Sequence, residues 1–176
     1  TLPNGDIKCA TEPLERIRAG QNYDRYKALF EQRMADQIQE LIQSERQAVV
    51  YEIPIIFHII HNGEAVGTGD NIAANLIDAQ LEQLNNDFRK IAGTSGDGGG
   101  VDTEIQFCLA LLDENGELLP EIGINRIDAR PIAGIGPYSD SDYDNEIKPA
   151  TQWNPDQYLN VWVGSLSALL GFAQFP

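Results

Sequence analysis

Residues 50–61 read VYEIPIIFHIIH. Apolar side chains occupy both alternating faces of this run, which is typical of a strand that is covered on its two sides. The proline and the β-branched residues favour extended backbone over helix. We therefore predict a strand here that is buried on both faces.

The same stretch holds both histidines of the chain, His58 and His61. Side chains alternate faces along a strand, and these two residues are an odd number of positions apart. They should therefore point to opposite sides of the sheet and cannot chelate one ion together. We expect one histidine to pack on a buried face and the other to end the strand beside a turn.

The segments after this strand predict an α/β fold. A helix with Ile77, Leu81, Leu84, Phe88 and Ile91 on one face separates it from a second run that is apolar on both faces, residues 105–112. Strand, helix and strand at this spacing indicate a βαβ unit with parallel strands. Shorter strands are predicted at 124–128, 158–164 and 169–175. The expected architecture is a twisted mixed, mostly parallel sheet with backing helices.

An N-terminal arm and a helix should precede the sheet. Apolar residues recur three and four apart from Asn22 to about Gln47, which predicts an amphipathic helix with Asn22 as its N-cap. The arm, residues 1–21, is punctuated by proline and glycine and holds Cys9. The chain has only one other cysteine, Cys108, which should pack as a small hydrophobic residue within its apolar run.

The charge of the chain argues against two classes of partner. The 12 Lys and Arg residues face 27 Asp and Glu residues, which gives a formal net charge of -15. Such a chain repels phosphate backbones and anionic lipids, so we expect neither nucleic acid nor membrane as a partner. No apolar stretch is long enough to cross a bilayer, and the N-terminus lacks a signal-peptide pattern.

Several segments together resemble a known family. They are IPIIFHIIHNG, DAQLEQLNNDFRK, DTEIQFCLALLDENG, NRID, WNPDQYLNVWVGSL and LLGFAQFP. In order and spacing they resemble the upper subdomain of the pappalysin family of metzincin zinc metalloendopeptidases, in its ulilysin-like (cytophagalysin) branch. The likeness covers about residues 51–176, and KCATE followed by the amphipathic helix is similar to the short pro-segment of that branch. It implies a pro-segment at 1–49 and an upper subdomain at 50–176.

The zinc motif of the family, HExxHxxGxxH, does not occur in the 176 residues. The resemblance implies that this motif follows soon after residue 176, so we expect no catalytic residue in this chain and most zinc ligands outside it. The implied partners are a peptide or protein substrate and the remaining catalytic half, or a second chain. The implied location is secreted or periplasmic, with a signal peptide already removed.

The resemblance also implies roles for particular residues. Cys9 would bind the zinc and hold the enzyme latent; the alternatives are a spare cysteine or a disulfide with Cys108. Gly171, Phe172, Ala173 and Gln174 would line a substrate-binding rim strand, residues 169–175, although they are equally well explained as an ordinary strand. Cleavage before Arg or Lys is implied, which predicts maturation at or near Glu45 and Arg46.

Two further alternatives come from the residues themselves. Asp140, Asp142 and Asp144 alternate as calcium ligands do, but the segment departs from the EF-hand pattern at its later positions, so calcium binding is possible and a solvated loop is favoured. A non-catalytic secreted binding module with the same fold is the alternative to a zymogen.

Overall fold

The computed structural model describes residues 11–43 and 49–173. These residues fall into two compact units, residues 11–43 with 168–173 and residues 49–167. Each unit is described by itself below. No helix among the described residues is both long enough and apolar enough to span a membrane.

The larger unit is built on a four-stranded parallel sheet. Strand β1 (Tyr51–His61) pairs in parallel with β2 (Ile105–Leu109), β3 (Ile124–Asp128) and β4 (Leu159–Val163). Its residues 55–60 are all buried, as the apolar run predicted. The α/β class and the mostly parallel sheet are thereby confirmed.

Helix α3 (Ala74–Phe88) covers one face of β1. The alternating residues Ile55, Phe57 and Ile59 form the core on this face, and Ile77 of α3 is buried against them. Asn85 fastens the helix to β2, because its amide donates to the Phe107 carbonyl at 2.9 Å and accepts from the Phe107 N–H at 2.7 Å. The helix ends before Ile91, which was predicted on its apolar face and is instead exposed.

The other face of β1 carries Ile56, His58 and Ile60, all of which are fully buried. The chain between β3 and β4 contains short helical pieces: α4 (Arg130–Ala133), α5 (Asp140–Asp142), a π-helical turn (Tyr143–Ile147) and α6 (Lys148–Thr151). Gly164, just after β4, lies so close to this region that an added Cβ would meet the Tyr143 hydroxyl at 2.6 Å and the Ile60 carbonyl at 2.9 Å. A side chain at position 164 would separate β4 from its surroundings.

The smaller unit contains α1 (Thr11–Ala19), a 3-10 turn (Gly20–Asn22) and α2 (Tyr23–Gln43). The predicted arm therefore includes a helix that the sequence interpretation missed. Pro13 lies in its first turn, where backbone N–H groups have no partner within the helix, so the proline does not prevent it. Asn22 belongs to the 3-10 turn and does not act as the predicted N-cap of an isolated helix.

The predicted strand at 169–175 is wrong over the part that the structure describes, since residues 169–173 form no regular strand. The physical reason lies in their hydrogen bonds: the Ala173 N–H donates to a side chain, the hydroxyl of Thr11, and not to a neighbouring strand. The described part of the segment is also non-helical.

Candidate functional site

The predicted site residues are only partly within the described chain. Gly171, Phe172 and Ala173 are described, whereas Cys9, Glu45, Arg46 and Gln174 lie outside the described residues. The predictions for those four residues therefore stay predictions.

Helix α1 lies against the segment 168–173, which we call the rim segment. Thr11 Oγ1 accepts a hydrogen bond from the Ala173 N–H at 2.9 Å. The Arg18 guanidinium lies 5.5 Å from the centroid of the Phe172 ring, within the range of a cation–π contact, and it also pairs with Glu15 at 3.1 Å. The first helix of the chain therefore occupies the backbone donor of Ala173.

Gly171 faces open space within the described chain. A Cβ built at this position meets no atom of the described chain within 4 Å. The described chain therefore does not require glycine here for its own packing.

In the larger unit, His58 is the centre of a buried hydrogen-bonded cluster that the sequence interpretation did not foresee. Its Nε2 lies 2.8 Å from Asn160 Oδ1, and its Nδ1 lies 3.1 Å from Asn125 Nδ2. Because Asn125 donates through its amide nitrogen, His58 Nδ1 must accept, and the ring proton is therefore on Nε2. The two asparagines fix one neutral tautomer of the imidazole.

Two tryptophans enclose the same ring. Trp162 stacks on it with centroids 5.2 Å apart, and Trp153 meets it edge-on at 6.0 Å. Burial lowers the pKa of His58 because the charged imidazolium would lose its hydration, although the hydrogen bond to Asn160 and the nearby charge of Glu114 act in the opposite direction. The ring is thus held neutral and fixed in orientation.

Asn160 connects this ring to the chain before β4. Its Oδ1 also accepts from the Trp153 N–H at 2.8 Å. Its Nδ2 donates to the carbonyls of Trp153 at 3.0 Å and of Tyr158 at 3.1 Å. One side chain therefore satisfies four polar groups, and it holds Trp153 against His58. The structure brings Asn160 to this ring because it pairs with Ile56 in the register of β4 against β1, and no pattern in the sequence shows that register.

His61 ends β1 beside a turn, as predicted, and has different neighbours from His58. Its Nδ1 accepts from the Gly63 N–H at 2.9 Å and lies 3.9 Å from a Glu64 carboxylate oxygen. Asp128, opposite His61 in β3, accepts from Arg130 Nε at 2.9 Å, and this guanidinium lowers the pKa of the carboxyl to about 2. The two histidines thus belong to separate clusters.

The chemistry of the described residues does not fit a zinc site. Among them, no group of three His, Cys, Asp or Glu side chains is placed to hold a metal ion. The acidic segment is helical, and Asp142 accepts from the Ser139 N–H and hydroxyl as a capping box. Asp144 pairs with Lys148 at 2.8 Å. These carboxylates therefore bind protein groups and do not converge on the calcium site that was considered.

Cys108 is a free, half-buried thiol in β2. Burial raises its pKa, and the nearby Glu52 carboxylate adds to this effect. A thiol of this kind stays protonated, and its packing as a small hydrophobic residue stays a prediction.

Comparison with known proteins identifies structural relatives. No protein-family model matches the chain, and no curated protein sequence is significantly similar to it. Among solved structures, mirolysin in complex with a compound is 30% identical, with a TM-score of 0.58 over 73% of this chain. The Tannerella forsythia promirolysin mutant E225A is 26% identical, with a TM-score of 0.61 over 96% of this chain.

The chain spans about half the length of these relatives, 47% of the first and 54% of the second. The likeness to promirolysin extends over almost all of the sequence, including the part that precedes the sheet. The resemblance seen in the sequence segments is therefore confirmed: the chain is similar to mirolysin and promirolysin, which are ulilysin-like pappalysin metzincins.

Proposed function

We propose that this chain is the pro-segment and upper subdomain of a secreted zinc metalloendopeptidase zymogen. The observation that carries the proposal is the contact between α1 and the rim segment, within a chain that is similar to promirolysin over 96% of its length. Residues 1–49 are the pro-segment and residues 50–176 the upper subdomain in this proposal.

The rim segment would bind substrate through its backbone. An extended peptide that adds to the edge of a sheet gains affinity from main-chain hydrogen bonds, whatever its side chains are. Gly171, Phe172, Ala173 and Gln174 would provide this edge, and the open space above Gly171 leaves room for a second backbone. The described residues of this chain bind and orient the peptide and carry no step of its hydrolysis.

Latency would then have two components. Thr11 accepts from the same Ala173 N–H that a peptide would use, so α1 must leave before a peptide can pair there. Cys9 precedes Thr11 by two residues, and in the complete enzyme its thiolate would bind the zinc at the position of the catalytic water. Cleavage at or near Glu45 and Arg46 would release both inhibitory groups together.

The test uses the product of the full reading frame, purified as the proenzyme and incubated with a quenched fluorescent peptide that contains arginine. We expect the wild-type proenzyme to be latent and Cys9→Ala to hydrolyse the peptide slowly before cleavage, because α1 still competes for the Ala173 N–H, and at the full rate once the pro-segment has been cleaved. Cys108→Ala is the matched control, because it removes the other thiol and should stay latent. N-terminal sequencing of the active form should find a start near Arg46.

Two results would contradict the proposal. A wild-type proenzyme as active as Cys9→Ala would show that Cys9 does not maintain latency. A product with no hydrolytic activity in any variant would favour the alternative, a binding module with this fold. Loss of activity on removal of zinc with a chelator, and its return on adding zinc, would complete the assignment of the metal.

A further inference from the structure

A surface cavity of about 290 Å³ lies over the His58 cluster in the larger unit. It is lined by polar side chains, among them Glu114, Asn125 and Gln152, and by the apolar side chains of Trp153, Ile127 and Ile132. This volume is at the low end of the range for small-molecule sites, about 300–1,000 Å³. The cavity therefore has room for a single side chain or a small molecule.

Two polar groups of this cavity, Glu114 and Asn125, offer hydrogen-bond acceptors, whereas the Gln152 amide can both donate and accept. Asn125 donates its amide nitrogen to His58, which leaves its carbonyl oxygen for other partners. Thr151, also in the lining, already donates its hydroxyl hydrogen to the Ile147 carbonyl and accepts from the Trp162 indole N–H at 2.9 Å. Glu114 supplies a carboxylate, of which one oxygen accepts from the Asn154 N–H at 2.7 Å. The Glu114 carboxylate and the Asn125 carbonyl together favour a ligand that brings donors and a positive charge.

The apolar groups of the cavity favour a guanidinium over an ammonium as the cationic ligand. A guanidinium is planar, has five N–H donors and no acceptor, and stacks on tryptophan, whereas an ammonium is compact and more strongly hydrated. Trp153 offers an aromatic surface, and the two isoleucines offer a wall for an aliphatic stem. The net charge of -15 adds a general attraction for cations.

The lining is also held in place before any ligand arrives. Asn160 binds both the N–H and the carbonyl of Trp153, and the Trp153 ring packs edge-on against His58 and against Tyr158 at 5.1 Å. Asn125 is oriented by the fixed tautomer of His58. A site whose groups are already ordered loses less entropy on binding.

We propose that this cavity binds a guanidinium group on an aliphatic stem, either as an arginine side chain of a peptide or as a free alkylguanidine. The carboxylate of Glu114 pairs with the cation, the Asn125 carbonyl accepts a second N–H, and Trp153 stacks on the plane. The proposal concerns the larger unit alone and holds whether or not the chain is part of a protease.

The experiment is an NMR titration of the ¹⁵N-labelled chain. The protein has two tryptophans, so its spectrum contains two indole N–H signals, which Trp153→Phe assigns. Propylguanidinium and N-acetyl-arginine methylamide should both shift the Trp153 signal and saturate it in the millimolar range. A lower dissociation constant for the arginine derivative would identify a peptide as the source, and an equal or higher one a free alkylguanidine. N-acetyl-citrulline methylamide, of nearly the same shape but neutral, should not shift the signal.

Two variants with equal charge complete the test. Glu114→Gln should weaken binding roughly tenfold, because it removes a hydrogen bond between charged groups. Glu117→Gln, in the same loop but outside the cavity lining, should bind as the wild type does. The same spectra report whether each variant is folded. Equal shifts with the citrulline derivative, or equal affinities of the two variants, would overturn the proposal.

Discussion

Replacing Asn160 should lower the stability of the larger unit by several times the effect of a typical surface substitution. This side chain makes four hydrogen bonds, two as acceptor and two as donor. Asn160→Ala leaves the Nε2–H of His58 without an acceptor at a position that is 0% exposed. A buried donor without a partner costs about 1–3 kcal/mol. The three backbone groups at Trp153 and Tyr158 lie nearer the surface, where water can replace the amide.

The expected decrease in the free energy of unfolding is therefore about 2–4 kcal/mol, of which the His58 donor contributes the larger share. Urea unfolding at pH 7.5, followed by tryptophan fluorescence, measures it directly. Asn160→Leu separates the two possible causes, because it keeps most of the volume and still removes every hydrogen bond. A similar loss in both variants would attribute the effect to hydrogen bonds and not to a cavity.

Asn145→Ala is the matched control. Asn145 is exposed and makes one side-chain hydrogen bond, to Ser141 at 3.0 Å, so its replacement should change stability by less than about 0.5 kcal/mol. A loss below about 1 kcal/mol for Asn160→Ala, or an equal loss for the control, would refute the view that Asn160 holds the cluster together.

Three further predictions concern the same region. The fold lowers the pKa of His58, so below about pH 6.5 the unfolded chain takes up a proton that the folded chain does not, and the free energy of unfolding should fall as the pH drops. His58→Gln should lose this part of the pH dependence, which urea titrations between pH 7.5 and 5 measure. Gly164→Ala should lower the free energy of unfolding by about 1–3 kcal/mol, because its Cβ would clash with the Ile60 carbonyl. Gly99→Ala is the control, because its Cβ would meet no atom within 4 Å. Equal melting temperatures of the two variants would contradict the predicted clash. The double variant His58→Leu with Asn160→Leu should be more stable than Asn160→Leu alone, since removing both partners leaves no buried donor unpaired. It should also bind propylguanidinium more weakly than the wild type. Equal stability of the double and the single variant would argue against a direct hydrogen bond between the two side chains.

The elements that could be predicted from the sequence are those with a strong period. Strand β1 was recognisable because apolar residues fill both of its faces, and α3 because Ile77, Leu81 and Leu84 recur at helical spacing. The opposite orientation of His58 and His61 followed from their odd spacing along a strand whose side chains alternate faces. These features depend on residues that are close together in the sequence, so the spacing of apolar residues is enough to predict them.

The chain between β3 and β4 was harder to predict for the opposite reason. Its acidic segment has the composition of a solvated loop, yet it forms short helices. The signal was present in Ser139 and Asp142, which have the spacing of a capping box, and in Tyr143 and Ile147, which are four apart and both buried. Such brief elements are stabilised by tertiary contacts, which a local pattern does not contain.

The partners of His58 could not have been found from the sequence, because Asn125 and Asn160 lie 67 and 102 positions away. Only the registers of β3 and β4 against β1 bring these amides to the two ring nitrogens. The buried run 55–60 would gain more stability from a sixth apolar residue at position 58 than from an imidazole that must be desolvated and then paired twice. The pairing instead orients Asn125 and, through Asn160, fixes Trp153, and both of these residues line the cavity. The polar residue at the centre of the apolar strand is therefore best explained by the site that it supports and not by the stability of the sheet.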